Sequence, residues 1–185
     1  MDSSHSPSRE DANQRPDENS ALNANLLPQI FSSANIQQAW QQVRRNKGAA
    51  GVDGIAIEQF TDWVKPKWHD LKEQLLSGCY CPQPVKRIRI PKDDGSKRLL
   101  GIPTVLDRVI QQAIVQALSP IFDPTFSEHS YGFRPNRSAH DAIREVQGFC
   151  QQKRNITVDI DLSKFFDRVN HDKLEFRANS PARAI

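Results

Sequence analysis

The chain has 185 residues, 37% of them hydrophobic and 25% charged, which allows one modest domain or one part of a larger one. Its net charge of +3 is unevenly distributed, because residues 1–30 carry five acidic and two basic side chains. Residues 31–185 therefore carry a net charge of +6, a mild excess that fits a polyanionic partner. No apolar run of about eighteen residues predicts a membrane span, and the first ten residues lack the pattern of a secretory signal. Three scattered cysteines argue against a disulfide scaffold, so we expect a soluble intracellular chain.

The first part of the sequence predicts a tail followed by helices. Residues 1–30 are expected to be disordered, because residues 1–25 are rich in Ser, Asn, Asp and Pro and have little to bury. Regular structure should begin near Ser33, where apolar side chains recur at helical spacing: Ile36, Trp40 and Val43. The segment GAAGVDG (48–54) predicts a loop that needs positive φ or a close approach of the backbone.

The middle of the sequence changes from helix to hairpin and back. Two short helices are predicted, one near residues 58–64 and one carrying Trp68, Leu71 and Leu75 on one stripe. Between Pro84 and Pro103, Ile88 and Ile90 alternate with charged residues, and residues 92–96 have the composition of a turn, which predicts a β-hairpin. The longest predicted helix follows, capped by Thr104 with Asp107 at its third position and ended by Pro120.

The last third predicts one more helix and one strand. Ser138 and Asp141 repeat the cap pattern before a stripe that we expect to be buried, formed by Ala142, Val146, Phe149 and Cys150. Three aliphatic residues then alternate with polar ones over residues 156–161, which predicts a half-buried strand with Asp159 and Asp161 on its polar face.

Three features of the sequence are candidates for chemistry. The paired carboxylates suit Mg²⁺, but from spacing alone a cap of the following turn is the favoured interpretation of Asp161. Phe165 and Phe166 are interpreted as core on the same basis. The hairpin carries a local charge of +4, which suits phosphate contacts or, alternatively, protects a solvated edge strand. The loop around Phe133 could stack on a nucleic acid or simply form a packing corner. Candidate phosphate-contacting residues are Lys86, Arg87, Arg89, Lys97 and Arg134.

Four stretches of the sequence closely resemble the reverse transcriptases (maturases) encoded by bacterial group II introns, and they occur in the same order as in that family. The matching stretches are residues 39–54, 82–114, 120–143 and 158–174. The resemblance implies an α+β fold, with the fingers and a truncated palm of a right-hand polymerase in residues 31–174 and an unrelated tail at 175–185. It also implies a cytoplasmic bacterial protein whose partners are intron or template RNA and a deoxynucleoside triphosphate.

The family pattern assigns roles to individual positions of this chain. Asp161, in DLSKFFD, would be the catalytic carboxylate that binds Mg²⁺, together with the carbonyl of Leu162. Phe166 would be the aromatic side chain that crowds a ribose 2′-OH, and Lys92 and Arg98 would grip the incoming triphosphate. Asp159 receives no role from the resemblance.

One motif of the family is missing from the sequence. The second palm motif, an aromatic residue followed by any residue and Asp-Asp, has no match, since the one Asp-Asp pair is Asp93-Asp94 in the hairpin turn. The resemblance therefore implies a truncated reverse transcriptase that is inactive alone. The alternatives are an RNA-binding module that assists intron RNA, a decayed reading frame without function, and a retron-type polymerase.

Overall fold

The computed structural model describes residues 26–173, except residues 92, 94, 155, 164 and 171. The expected tails at 1–25 and 175–185, and the candidate triphosphate ligand Lys92, therefore lie outside the described residues. The chain divides into two compact units, Met1–Pro124 and Thr125–Ile185. None of the described helices is long and apolar enough to cross a membrane.

The described part of the first unit contains helices and a two-stranded sheet, in the order that the sequence predicts. Its helices are α1 (Ser33–Asn46), α2 (Ile57–Val64), α3 (Trp68–Leu76) and α4 (Val105–Phe122). Its strands, β1 (Lys86–Pro91) and β2 (Lys97–Ile102), pair antiparallel between α3 and α4. The second unit contains helix α5 (Ala139–Gln151) and a short 3₁₀ turn, Phe166–Arg168.

The core of the first unit lies where α1 packs on α4. Ala39 and Val43 of α1 are buried, as are Val105 and Val109 of α4. Full burial of one such Val side chain stabilises the fold by about 1.5–3 kcal/mol. Phe60 of α2 joins this core, with its ring centroid 4.9 Å from that of Trp40. The predicted stripe of α1 therefore faces this core.

Polar contacts fix the start of α1 against the middle of α4. The Asn35 side-chain amide donates hydrogen bonds to the carbonyls of Ile30 (2.8 Å) and Ala113 (3.0 Å). The Gln116 amide in turn donates to the Asn35 side-chain oxygen at 2.7 Å. Because each side-chain amide satisfies a specific partner, these bonds favour one axial position of the helices.

Two boundaries differ from the sequence prediction. Residues 26–30 belong to the predicted tail, yet they are helical, and Ile30 is buried with 4% exposure because it packs into the core. Helix α4 does not end at Pro120 but continues to Phe122. Proline lacks an N–H and so removes one bond to the preceding turn, whereas the Asp123 N–H still donates to the Ser119 carbonyl.

Two predictions of burial in the second unit are wrong, one for the apolar stripe of α5 and one for the segment 156–161. No residue of α5 is buried, and Val146 of the expected stripe is 57% exposed. Residues 156–161 form no strand, and Ile156 and Ile160 are 91% and 82% exposed. A strand needs a neighbour to accept its N–H groups and donate to its carbonyls, and the described residues contain no strand that pairs with this segment.

The loop between α1 and α2 offers a test of packing. A Cβ added at Gly51 would lie 2.7 Å from Thr104 Cα and 2.8 Å from Thr104 N, so the start of α4 would have to move. We expect Gly51→Ala to lower the free energy of unfolding by about 3 kcal/mol, measured by urea denaturation. Gly54→Asn in the same loop is the control, because Gly54 has φ +72°, nothing lies within 4 Å of its Cβ position, and Asn tolerates that conformation. Equal losses in the two variants would contradict the close approach.

Candidate nucleic-acid interface

The hairpin register sorts its basic side chains onto two faces. Arg87 lies opposite Gly101, Arg89 opposite Leu99, and Pro91 opposite Lys97. Directly opposed residues share a face and successive residues alternate, so Arg87, Arg89 and Lys97 lie together; we call this the arginine face. The opposite face, here the mixed face, holds Lys86, Ile88, Ile90, Arg98 and Leu100.

The charges of the hairpin are open to solvent. Lys86, Arg87 and Arg89 of β1 are exposed, as are Lys97 and Arg98 of β2. Among the residues that the structure describes, none of these five side chains forms an ion pair. Uncompensated guanidinium and ammonium groups on a two-stranded ribbon can bind phosphate, and a guanidinium can do so with two parallel hydrogen bonds.

A buried carboxylate holds the base of the hairpin. Asp107, in the first turn of α4, is 4% exposed. It accepts hydrogen bonds from the Tyr80 hydroxyl (2.7 Å), the Thr104 hydroxyl (2.7 Å) and the Gln83 N–H (3.3 Å). Tyr80 and Gln83 precede β1, while Thr104 follows β2, so this one side chain joins both ends of the hairpin to α4.

The same network changes the acidity of Tyr80. Burial, and then the hydrogen bond to Asp107, raises the pKa of the Tyr80 hydroxyl well above its usual value. The phenol therefore stays protonated, and able to donate to Asp107, up to a higher pH than an exposed tyrosine would. Sequence reasoning identified Asp107 only as a capping residue, because nothing local connects it to a tyrosine 27 positions earlier.

The glycine-rich loop supports the start of α4. Arg108 donates hydrogen bonds to the carbonyls of Lys47 (3.3 Å) and Ala49 (2.8 Å). Gly48, at φ +117°, makes room for this guanidinium, since a Cβ there would lie 2.7 Å from Arg108 Nη1. The positive φ and the close approach of the backbone that the sequence predicts for this loop are confirmed by Gly48 and Gly51. The carbonyl groups at its start accept hydrogen bonds from Arg108 of the same chain.

The loop around Phe133, residues 125–138, is called the aromatic loop, and hydrogen bonds from its own arginines hold it. Arg134 donates to the carbonyls of Ser127 (2.6 Å) and Ser130 (3.2 Å), and Arg137 donates to the Glu128 carbonyl (2.8 Å). The Arg137 guanidinium also lies 5.3 Å from the centroid of the Tyr131 ring. The loop is therefore braced internally.

The candidate metal ligands are not brought together. Asp159 and Asp161 are exposed on an irregular segment, and the Asp161 carboxylate accepts the Leu162 N–H at 2.9 Å. No three His, Cys, Asp or Glu side chains cluster in the described part of the chain. A two-metal site needs several carboxylates on a rigid frame, so the described residues do not by themselves fit one. Phe165 and Phe166, expected in the core, are 53% and 87% exposed.

Comparison with known proteins decides the family. Residues 90–180 match the family described as reverse transcriptase (RNA-dependent DNA polymerase). The chain is 42% identical over 152 residues to Protein YkfC of Escherichia coli, and 37% identical over 134 residues to the group II intron-encoded protein LtrA of Lactococcus lactis. The chain belongs to the group II intron reverse transcriptase family. The resemblance predicted from four sequence blocks is thereby confirmed.

The matched relatives are much longer than this chain. The match to Protein YkfC covers 79% of this chain and 40% of that protein, and the match to LtrA covers 72% and 22%. A nuclear intron maturase of Arabidopsis thaliana is 30% identical over 90 residues, covering 45% of this chain and 12% of the maturase. The mixture of helices with a small sheet agrees with a reverse transcriptase-like fold.

Proposed function

We propose that this chain forms the fingers and the first part of the palm of a group II intron reverse transcriptase, and that it binds RNA through its basic hairpin. The observation that carries the proposal is the exposed set of five basic side chains, none of them ion-paired among the described residues. The relative named as a group II intron-encoded protein supports intron RNA as the partner.

The anchoring of the hairpin supports the same assignment. A flexible ribbon would lose conformational entropy on binding, and that cost would lower its affinity. The Asp107 hydrogen bonds hold both ends of the hairpin against α4, so part of this cost is already met on folding. The alternative, that charge only keeps an edge strand soluble, does not require a fixed base.

The catalytic assignments are proposals that rest on the family pattern. We propose Asp161 and the Leu162 carbonyl as ligands of Mg²⁺, Lys92 and Arg98 as contacts of the triphosphate, and Phe166 as the side chain beside the ribose. The described residues do not assemble the remaining carboxylates. RNA binding, rather than nucleotide addition, is therefore the function that we assign to the described residues.

The salt dependence of RNA binding tests the proposal. If three to five side chains neutralise phosphates, the binding constant should fall with salt at a log–log slope of about −2 to −3.5 on single-stranded RNA. Fluorescence anisotropy with a labelled oligoribonucleotide, repeated at several KCl concentrations, measures this slope. A peptide nucleic acid of the same sequence is the control, because it lacks phosphates and should bind much more weakly, without a comparable salt dependence. Absence of RNA binding by the folded protein would overturn the proposal, and a molten chain without binding would favour a decayed reading frame.

A further inference from the structure

The Phe133 side chain is fully exposed to solvent, and its backbone conformation is unusual for a residue other than glycine. Its relative exposure is 112%, so its ring makes essentially no contact with the described chain. Its backbone φ is +57°, in the left-handed region that non-glycine residues rarely adopt. Such a conformation costs about 1–2 kcal/mol, and the exposed ring forgoes the stabilisation that burial would supply.

The loop around Phe133 is not a loose segment. The next residue, Arg134, donates to the Ser127 and Ser130 carbonyls, and Arg137 donates to the Glu128 carbonyl. Glu145 of α5 accepts a hydrogen bond from the Tyr131 hydroxyl and contacts the His129 ring, and these contacts lower the pKa of the Glu145 carboxyl. The ring is therefore displayed on a braced turn.

The surroundings of the ring indicate the kind of partner. Anchor residues of protein interfaces lie within well-packed apolar surfaces that exclude water. The Phe133 ring instead packs against nothing in the described chain. It is flanked in sequence by Gly132 and Arg134, and the loop from Thr125 to Ser138 has two arginines against one glutamate. A fully exposed ring beside positive charge is an arrangement with which proteins stack on unpaired bases, since every base offers a π-face.

We propose that Phe133 is a stacking platform for an unpaired base of bound RNA, a contact distinct from the phosphate contacts of the hairpin. The inference rests on the proposed function, because it needs RNA as the partner. In this proposal the aromatic loop binds RNA bases whatever their identity, whereas the hairpin contacts the phosphates of the RNA backbone.

The test uses oligoribonucleotides that carry 2-aminopurine at successive positions, because stacking quenches the fluorescence of this base. Binding of the parent protein should quench one or two positions. Phe133→Ala should abolish that quenching and weaken binding about 5- to 100-fold, with the salt slope unchanged because no phosphate contact is lost. Phe133→Trp should keep the quenching, whereas Phe133→Leu should lose it.

Control variants separate stacking from a general effect of exposed apolar surface. Val146→Ala removes part of another exposed side chain of the same unit and should leave RNA binding unchanged. Thermal unfolding should be the same for all Phe133 variants, because the ring packs against nothing in the described chain. If Phe133→Ala or Phe133→Leu binds and quenches like the parent, the stacking proposal is overturned while the hairpin proposal stands. If the parent protein binds no RNA, both are overturned.

Discussion

Replacing Arg87, Arg89 and Lys97 together with Gln is expected to weaken RNA binding about 100-fold at 0.1 M monovalent salt. These three side chains form the arginine face of the hairpin. Three lost phosphate contacts should change the log–log salt slope by about 2, which corresponds to about two decades of affinity at that salt concentration. Anisotropy titrations of the parent and the triple variant across a range of KCl concentrations measure both quantities.

Two matched variants make the hairpin result specific. Lys86→Gln with Arg98→Gln removes the basic side chains of the mixed face and should change the salt slope less than the arginine-face variant does. Removing three exposed charges outside the hairpin, Arg44 and Arg45 of α1 and Lys65 just after α2, controls for net charge and should have the smallest effect. If the helix variant weakens binding as much as the arginine-face variant, the hairpin is not the site of RNA contact.

Asp107→Ala is expected to lower the free energy of unfolding by about 3–5 kcal/mol. The substitution leaves the Tyr80 hydroxyl, the Thr104 hydroxyl and the Gln83 N–H without the carboxylate that they share. Unpaired polar groups at a buried site each cost about 1–3 kcal/mol, so the loss should be large for a single side chain. Urea denaturation followed by circular dichroism measures it.

Tyr80→Phe is the matched control for this network. It keeps the ring and removes only the hydroxyl that donates to Asp107, so a loss of about 1–2 kcal/mol is expected. Amide exchange adds a local readout, because Asp107→Ala should accelerate exchange across β1 and β2 more than Tyr80→Phe does. A loss no greater than that of Tyr80→Phe would show that Asp107 is not the centre of the network.

The sequence by itself determined the elements whose signals are local. The stripe of Ile36, Trp40 and Val43 predicted α1, and Ser138 with Asp141 predicted the capping box at which α5 begins. The hairpin followed from alternation and a turn composition within twenty residues. These predictions held because helix caps, amphipathic periods and tight turns depend on residues close together in the chain. The family was likewise evident from four contiguous blocks, since a motif is a local pattern.

Only the tertiary structure decided what each surface contacts. The apolar stripe of α5 and the alternating segment at 156–161 have the patterns of buried elements, yet neither contributes a buried residue, because burial requires a partner that a periodic pattern cannot specify. The sequence likewise could not join Tyr80 to Asp107, since their hydrogen bond exists only once the intervening hairpin has formed. The division of the hairpin arginines between two faces depends on strand register, and the full exposure of Phe133 depends on the bracing of its loop. Register depends on which residues of the two strands pair, and the bracing depends on side-chain hydrogen bonds to particular carbonyls. A periodic pattern specifies neither, so both become visible only in the folded chain.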